Sequence, residues 1–446
     1  MSNDSTAPRV ASPAATRPDL ADRYAHRLAS SEVTVLGPDG APFADREVTV
    51  SQRRHEFLFG CIGFDFIAHA NGEDPTAVAG SSSFFGSSAP AEQVEDLAHA
   101  WFELFNTTTL PFYWGEFEPR RGQPGTRRLL QTARWFADRG VTVKGHPLTW
   151  HTAAPDWLLD LPTADVVEAQ RARIRREVGD FAGLVDTWDV VNESVIMPVY
   201  DKYDNGLTRV ARDHGRTATL AMAFAEARDA NPGATLLLND FDMSPAYERV
   251  IEEALEAGVG IDVLGLQSHM HKGYWGEERT LEVLGRFSRF GLPLHFTENT
   301  LVSGELMPAE IGDLNDHQVE HWPSTPEGEE RQADEIVRHV TTLVSHPAVG
   351  AINYWGLSDA TTWLGAPVGL VRADGTRKPS YEALHGLVKG QWWLSPTTVR
   401  TDARGRVQVH GFRGGYEVAA AGATAGVVLD GRSPSTTARL GGGSDR

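Results

Sequence analysis

Two carboxylic acids in this chain stand where short apolar runs end. Trp188-Asp189-Val190-Val191-Asn192-Glu193 begins as a bulky, β-branched strand and stops on an amide and an acid. Leu294-His295-Phe296-Thr297-Glu298 is a second short apolar run ending on an acid. An acid at the tip of a buried strand carries a desolvation cost, and two of them on different strands are what hydrolysis of a glycosidic bond requires. Glu193 and Glu298 are therefore the candidate catalytic pair, expected about 5–5.5 Å apart for a retaining reaction. One must hold a proton near neutral pH while the other stays ionised. Gln267 and His269, at the end of another apolar run, are expected to hydrogen-bond Glu298, orient it and stabilise its charge. Asn192 is placed to hold a sugar hydroxyl beside the reacting carbon. Trp150, Trp355 and Trp363 offer flat apolar faces for a sugar ring. Tyr113 reads as a further platform or as packing.

The elements that must present these side chains follow from periodicity. Strand-like runs occur at 57–64, 106–110, 141–148, 185–191, 235–239, 263–267, 294–297 and 350–354. Helical patterns occur at 91–105, 127–139, 164–181, 211–230, 245–257, 280–290, 326–345 and 380–388. This alternation predicts an α/β protein, a (β/α)8 TIM barrel. Polar residues tip the apolar strands: His146, Asn192-Glu193, Asn239-Asp240, Gln267 with His269, Glu298 and Trp355. That pattern predicts one site on one face. Outside the barrel, 31–52 and 391–440 carry short alternating runs, neither long enough for an independent sheet. They are expected to pair into a small accessory β unit. The expected division is 1–30 disordered or linker, 31–56 an N-terminal β segment, 57–390 the barrel, and 391–440 a C-terminal β segment pairing with 31–56. The Ser-, Gly- and Ala-rich stretch 68–91 reads as a mobile loop.

Composition narrows the partners. The chain has 446 residues, 41% of them apolar and 23% charged, with a formal net charge of −19. That balance argues against nucleic acid or an anionic membrane as the main partner and mildly supports a neutral one, in keeping with the carbohydrate or glycoside substrate that the carboxyl pair suggests. It says nothing of oligomeric state. Cys61 is the single cysteine; it excludes an intrachain disulfide or a thiolate metal cluster and reads as a small core residue. His269-Met270-His271 resembles half a metal site, but no acidic ligand stands in motif spacing, so neither metal nor cofactor is expected. Residues 1–22 lack a basic stretch followed by an apolar one, and the expected location is cytoplasmic unless a leader was removed.

Six motifs occur in order between about 57 and 388: Lys144-Gly145-His146-Pro147-Leu148-Thr149-Trp150-His151, the 188–193 run, Leu238-Asn239-Asp240, Gly265-Leu266-Gln267-Ser268-His269, Thr297-Glu298 and the run from Trp355 to Trp363. Together they make the chain resemble glycoside hydrolase family ten, the family of many endo-β-1,4-xylanases. The resemblance implies that Glu193 is the acid/base and Glu298 the nucleophile. It also implies that His146, Trp150, Asn192, Gln267, His269, Trp355 and Trp363 surround the sugar whose bond is cut, with His151 counted among the substrate-binding residues.

Departures from the family pattern matter equally. Thr109, Leu110 and Tyr113 stand where the family carries a Glu-Asn pair and a lysine, and Ala153 stands for a glutamine. Those polar groups bind the second sugar on the non-reducing side. Thr300 replaces an aspartate that supports the histidine. The expected function is thus a retaining β-glycoside hydrolase acting on short, aryl or modified β-glycosides rather than polymeric xylan. The alternatives are an ordinary endo-β-1,4-xylanase, a sugar-binding barrel without catalysis, and a metal-dependent barrel hydrolase using His146, His151, His269 and His271.

Overall fold

The computed structural model describes residues 7–74 and 89–441. In chain order, β1 (Arg9–Ala11), β2 (Leu28–Leu36) and β3 (Glu47–His55) come first. Then follow β4 (Leu58–Ile62), β5 (Thr107–Pro111), β6 (Thr142–His146), β7 (Val185–Asn192), β8 (Thr235–Asp240), β9 (Val263–Met270), β10 (Leu294–Leu301) and β11 (Val349–Tyr354). The last are β12 (Thr397–Arg400), β13 (Arg406–Phe412), β14 (Gly414–Ala420), β15 (Ala423–Leu429) and β16 (Ser435–Arg439).

β4 to β11 close into a parallel barrel in sequence order, β11 returning to β4. Parallel strands covered on both faces must be apolar almost throughout, and Val190, Val191, Leu236, Leu237, Leu238, Leu264 and Leu266 are fully buried. Helices return the chain between strands, among them Thr163–Asp180, Pro245–Glu256 and Pro326–Val344. Their starts are written locally. Ser244 accepts from the Ala246 amide and Thr325 from the Gly328 amide, each followed by proline in the first turn, a position whose missing N–H costs nothing. The helix expected over 211–230 is instead two, Gly206–His214 and Arg216–Ala230. The break is Gly215, at φ 86°, a left-handed conformation that glycine adopts without a Cβ penalty. The compact unit built this way runs Phe59–Ser380. Cys61 is buried in it, and burial pushes its thiol up, as a core residue requires.

The second unit combines Met1–Leu58 with Tyr381–Arg446. It holds two four-stranded sheets, ordered β1-β13-β2-β16 and β12-β3-β14-β15. The N- and C-terminal segments therefore pair: β2 lies antiparallel to β13 through Val33↔Val407, and β3 lies antiparallel to β12 and β14 through Val50↔Thr397 and Val50↔Val418. Val33, Val35, Val48 and Val50 share one core with Val407, Val409 and Val418. Two expectations need correction. The segment read as disordered contains β1 and the helices Pro13–Thr16 and Pro18–Arg23; a proline begins each helix, and Val10, Ala14, Leu20 and Tyr24 are buried. The stretch read as a mobile loop begins inside the helix Ile67–Asn71, while 75–88 lie outside the described residues. No helix among the described residues is long and apolar enough to cross a membrane.

Candidate active site

The polar strand tips converge on the C-terminal mouth of the barrel. β7 presents Asn192 and then Glu193, and β10 presents Glu298. Glu193 has φ 57°, a left-handed conformation that is strained for a side-chain-bearing residue and concentrates at functional sites. Its amide donates to the Asn239 carbonyl at 2.8 Å, and the loop that follows is held by Asp240, which accepts from Ser194 Oγ at 3.2 Å and from the Val195 amide at 3.0 Å.

One amide network ties the two carboxyls together. Asn239 Nδ2 donates to Asn192 Oδ1 at 2.7 Å and to Glu298 Oε1 at 2.8 Å. Asn192 Nδ2 donates to Glu193 Oε1 at 3.3 Å. Thr297 Oγ1 fixes Asn239 by donating to its Oδ1 at 2.6 Å. Beyond this network the carboxyls diverge. Glu298 Oε2 accepts from His269 Nε2 at 3.0 Å, and its Oε1 lies 3.9 Å from His146 Nε2. Burial raises the Glu298 pKa, yet the His146 charge and the His269 hydrogen bond outweigh it and hold the carboxyl below the usual range. Glu193 receives the Trp150 indole N–H on Oε2 at 2.7 Å, but no cationic group among the described residues acts on it. Burial first, then the Glu298 charge, push its pKa up to about 8 despite that bond. The site thus holds one ionised and one protonated carboxyl at neutral pH, the division that acid and nucleophile roles need.

His146 is oriented from beneath. Its Nδ1–H donates to Asp189 Oδ2 at 2.7 Å, and Lys144 Nζ reaches the same oxygen at 2.6 Å. Burial disfavours the Asp189 charge, but Lys144 and His146 keep it below the usual carboxylate range. Three aromatic rings wall the site. Trp355 packs against His146 and His269 at centroid distances of 5.2 and 6.2 Å. Trp363 lies 5.1 Å from His269, and Tyr113 packs against His146 and Trp150.

Two sequence expectations are corrected here. Gln267 does not bond Glu298: it donates to Asn192 Oδ1 at 3.0 Å, and Asn239 is the amide on Glu298. His151 does not join the mouth: its ring is buried against Tyr200 at 4.5 Å, with both nitrogens out of reach of solvent. His271 is also fully buried, beneath Trp363 and Trp322. No group of three or more histidine, cysteine or acidic side chains among the described residues is arranged to hold a metal ion. Sequence reasoning placed Asn239 among the polar strand tips without giving it a role, and left Asp189, Lys144 and Thr297 out of the site. Asp189 carried a signal, since a charge inside an otherwise apolar strand demands a buried partner.

Known proteins share this architecture. A family model described as glycosyl hydrolase family 10 matches residues 85–386. Endo-1,4-beta-xylanase/feruloyl esterase of Xylanibacter ruminicola is 27% identical over 293 residues, covering 58% of this chain and 39% of that protein. Endo-1,4-beta-xylanase B of Thermotoga neapolitana is 26% identical over 290 residues, covering 63% of this chain and 77% of that one. Among solved structures, xylanase 10B of Thermotoga petrophila RKU-1, crystallised with xylobiose, superposes with a TM-score of 0.58 at 21% identity, over 75% of this chain and 94% of that chain; this likeness concerns the fold.

Proposed function

The chain belongs to glycosyl hydrolase family 10, and from that premise we propose that it cleaves short or aryl β-glycosides by double displacement, with Glu298 as nucleophile and Glu193 as acid/base. The observation that carries the roles is the unequal treatment of two carboxyls on one amide network. Glu298, held ionised between His146 and His269, attacks the anomeric carbon from below the ring. Glu193, protonated, gives its proton to the departing oxygen. The glycosyl–enzyme ester is then hydrolysed by a water that Glu193, now a carboxylate, deprotonates, so the anomeric configuration is retained.

Glu298→Ala is expected to abolish turnover. Glu193→Ala is expected to spare substrates with good leaving groups far more than others, because they need little protonation. NMR of the first product anomer checks the pathway, and an inverted anomer sinks it.

The reading of a preference for short glycosides rests on the residue types at the four departing positions: Thr109, Leu110, Tyr113 and Ala153 offer a second glycone sugar no charged or amide donor. A charged hydrogen bond is worth about 1.5–3 kcal/mol, so the second sugar gains little here. An aryl β-xyloside should match an aryl β-xylobioside in kcat/KM within about tenfold. The xylanases to which the chain is similar favour a second reading, an endo-1,4-β-xylanase; on it, the disaccharide wins by several orders of magnitude.

A further inference from the structure

The loop after β7 and the loop after β10 are separated around the barrel by β8 and β9, yet they are joined. Lys202 Nζ, on the first, lies 2.7 Å from Asp313 Oδ2 and 2.6 Å from Asp316 Oδ1, on the second. Asp313 is fixed for this contact, because its Oδ1 accepts from the Asn315 amide at 2.9 Å. Lys272, on the loop after β9, donates to the Ile311 carbonyl, so the β10 loop is pinned to the loops after β7 and β9. Beneath them the β10 loop is rooted in a small core of Val302, Met307, Trp322, Ala366 and Val368. Beside the ion pair, Tyr200 packs against Tyr203 at 5.0 Å, and Tyr203 Oη donates to the Thr152 carbonyl at 2.6 Å. Tyr200 also packs against His151 at 4.5 Å, the sequence neighbour of the Trp150 that bonds Glu193; the two tyrosines thus stand on the loop that starts at the acid/base and carries Lys202.

Tyr113, Trp150 and Trp355 line the site just past the ends of β5, β6 and β11. With Glu193 as the acid/base that protonates the leaving oxygen, the exit is assigned to the loop that follows Glu193 and the loops tied to it. We propose that Lys202, Asp313 and Asp316 form a clasp across that exit and are specificity determinants, limiting the leaving group to one compact ring beside Tyr200 and Tyr203. The inference rests on the assignment of Glu193 as acid/base. An exposed ion pair adds little stability; its effect here is geometric, one ammonium holding two loops. Being partly exposed, it is open to screening by salt.

The test compares kcat/KM of the 446-residue chain on an aryl β-xyloside and on xylotriose. Lys202→Met, and separately Asp313→Asn with Asp316→Asn, should each shift the ratio toward xylotriose by about tenfold. For the unmodified enzyme, about 1 M NaCl, where the screening length is about 3 Å, should move the ratio in the same direction, and the variants should not respond. Charge exchange, Lys202→Glu with Asp313→Lys and Asp316→Lys, should restore it. A ratio that neither substitution moves overturns the clasp alone. No turnover of any aryl β-glycoside by the unmodified enzyme overturns the parent reading and the clasp with it.

Discussion

Glu193 and Glu298 share a network and differ in what lies beyond it, and pH dependence measures that difference. Turnover on the proposed pathway needs Glu298 ionised and Glu193 protonated. The acid limb of kcat/KM should lie below the usual carboxylate range, where Glu298 titrates. The basic limb should fall near 8, where Glu193 loses its proton. Trp150 supplies the handle. Its indole N–H bonds the Glu193 carboxylate at 2.7 Å and lowers that pKa. Trp150→Phe removes the donor, leaves the ionised form less stabilised, and should move the basic limb to higher pH. A limb that stays in place or moves down would show that another group sets it.

Between strands, glycine sets how closely the network can be drawn. A Cβ on Gly265 would lie 2.4 Å from Asn239 Oδ1, on the residue that holds both Asn192 and Glu298. Gly265→Ala should therefore destabilise the fold by about 1–3 kcal/mol through overpacking and lower kcat on the order of a hundredfold by displacing the carboxyl pair. Denaturant unfolding and kcat read the two effects separately, and full activity at reduced stability would detach Asn239 from catalysis. Gly179, inside the helix Thr163–Asp180, has nothing within 4 Å of an added Cβ, so Gly179→Ala should stabilise by about 0.5–1 kcal/mol without touching kcat. The same elements mark how far the sequence speaks. Most barrel strands were legible as apolar runs stopped by a polar tip; β4, Leu58–Ile62, has no polar tip and β5, Thr107–Pro111, is largely threonine. Glu193 and Glu298 were legible because an acid at such a tip is costly. The choice of Asn239 over Gln267 as the amide on Glu298 was not legible. It depends on an irregularity in the β9–β10 pairing between Phe296 and Glu298, which no periodicity announces. His151 shares a motif with Trp150 yet turns into the interior. The ion pair of Lys202 joins loops far apart in sequence, where no local pattern can reveal a contact.

At the scale of the whole chain, the two ends build one unit and the barrel is inserted between them. β2 is sandwiched between β13 and β16, and β3 between β12 and β14, so every sheet partner of β2 and β3 lies C-terminal to the barrel. An N-terminal segment made alone leaves Val33, Val35, Val48 and Val50 without the Val407, Val409 and Val418 side of their core; it should stay unfolded, since β2 and β3 belong to different sheets and have no strand partner on that segment. The C-terminal segment faces the same deficit. Joined, they hold two complete four-stranded sheets and their own core, which is what independent folding requires. Residues 7–58 linked to 381–441 by about twenty Gly/Ser residues, reaching about 25 Å, should therefore fold without the barrel. Replacing a barrel-length loop by that linker also lowers the closure cost by about 2 kcal/mol relative to the chain before its barrel folds. Circular dichroism should show a β spectrum for the fused polypeptide and none for either half, and denaturant should unfold it in one cooperative transition whose slope scales with the buried surface. A fused polypeptide that melts gradually and binds hydrophobic dyes would mean that the barrel is needed to complete the sheets' core.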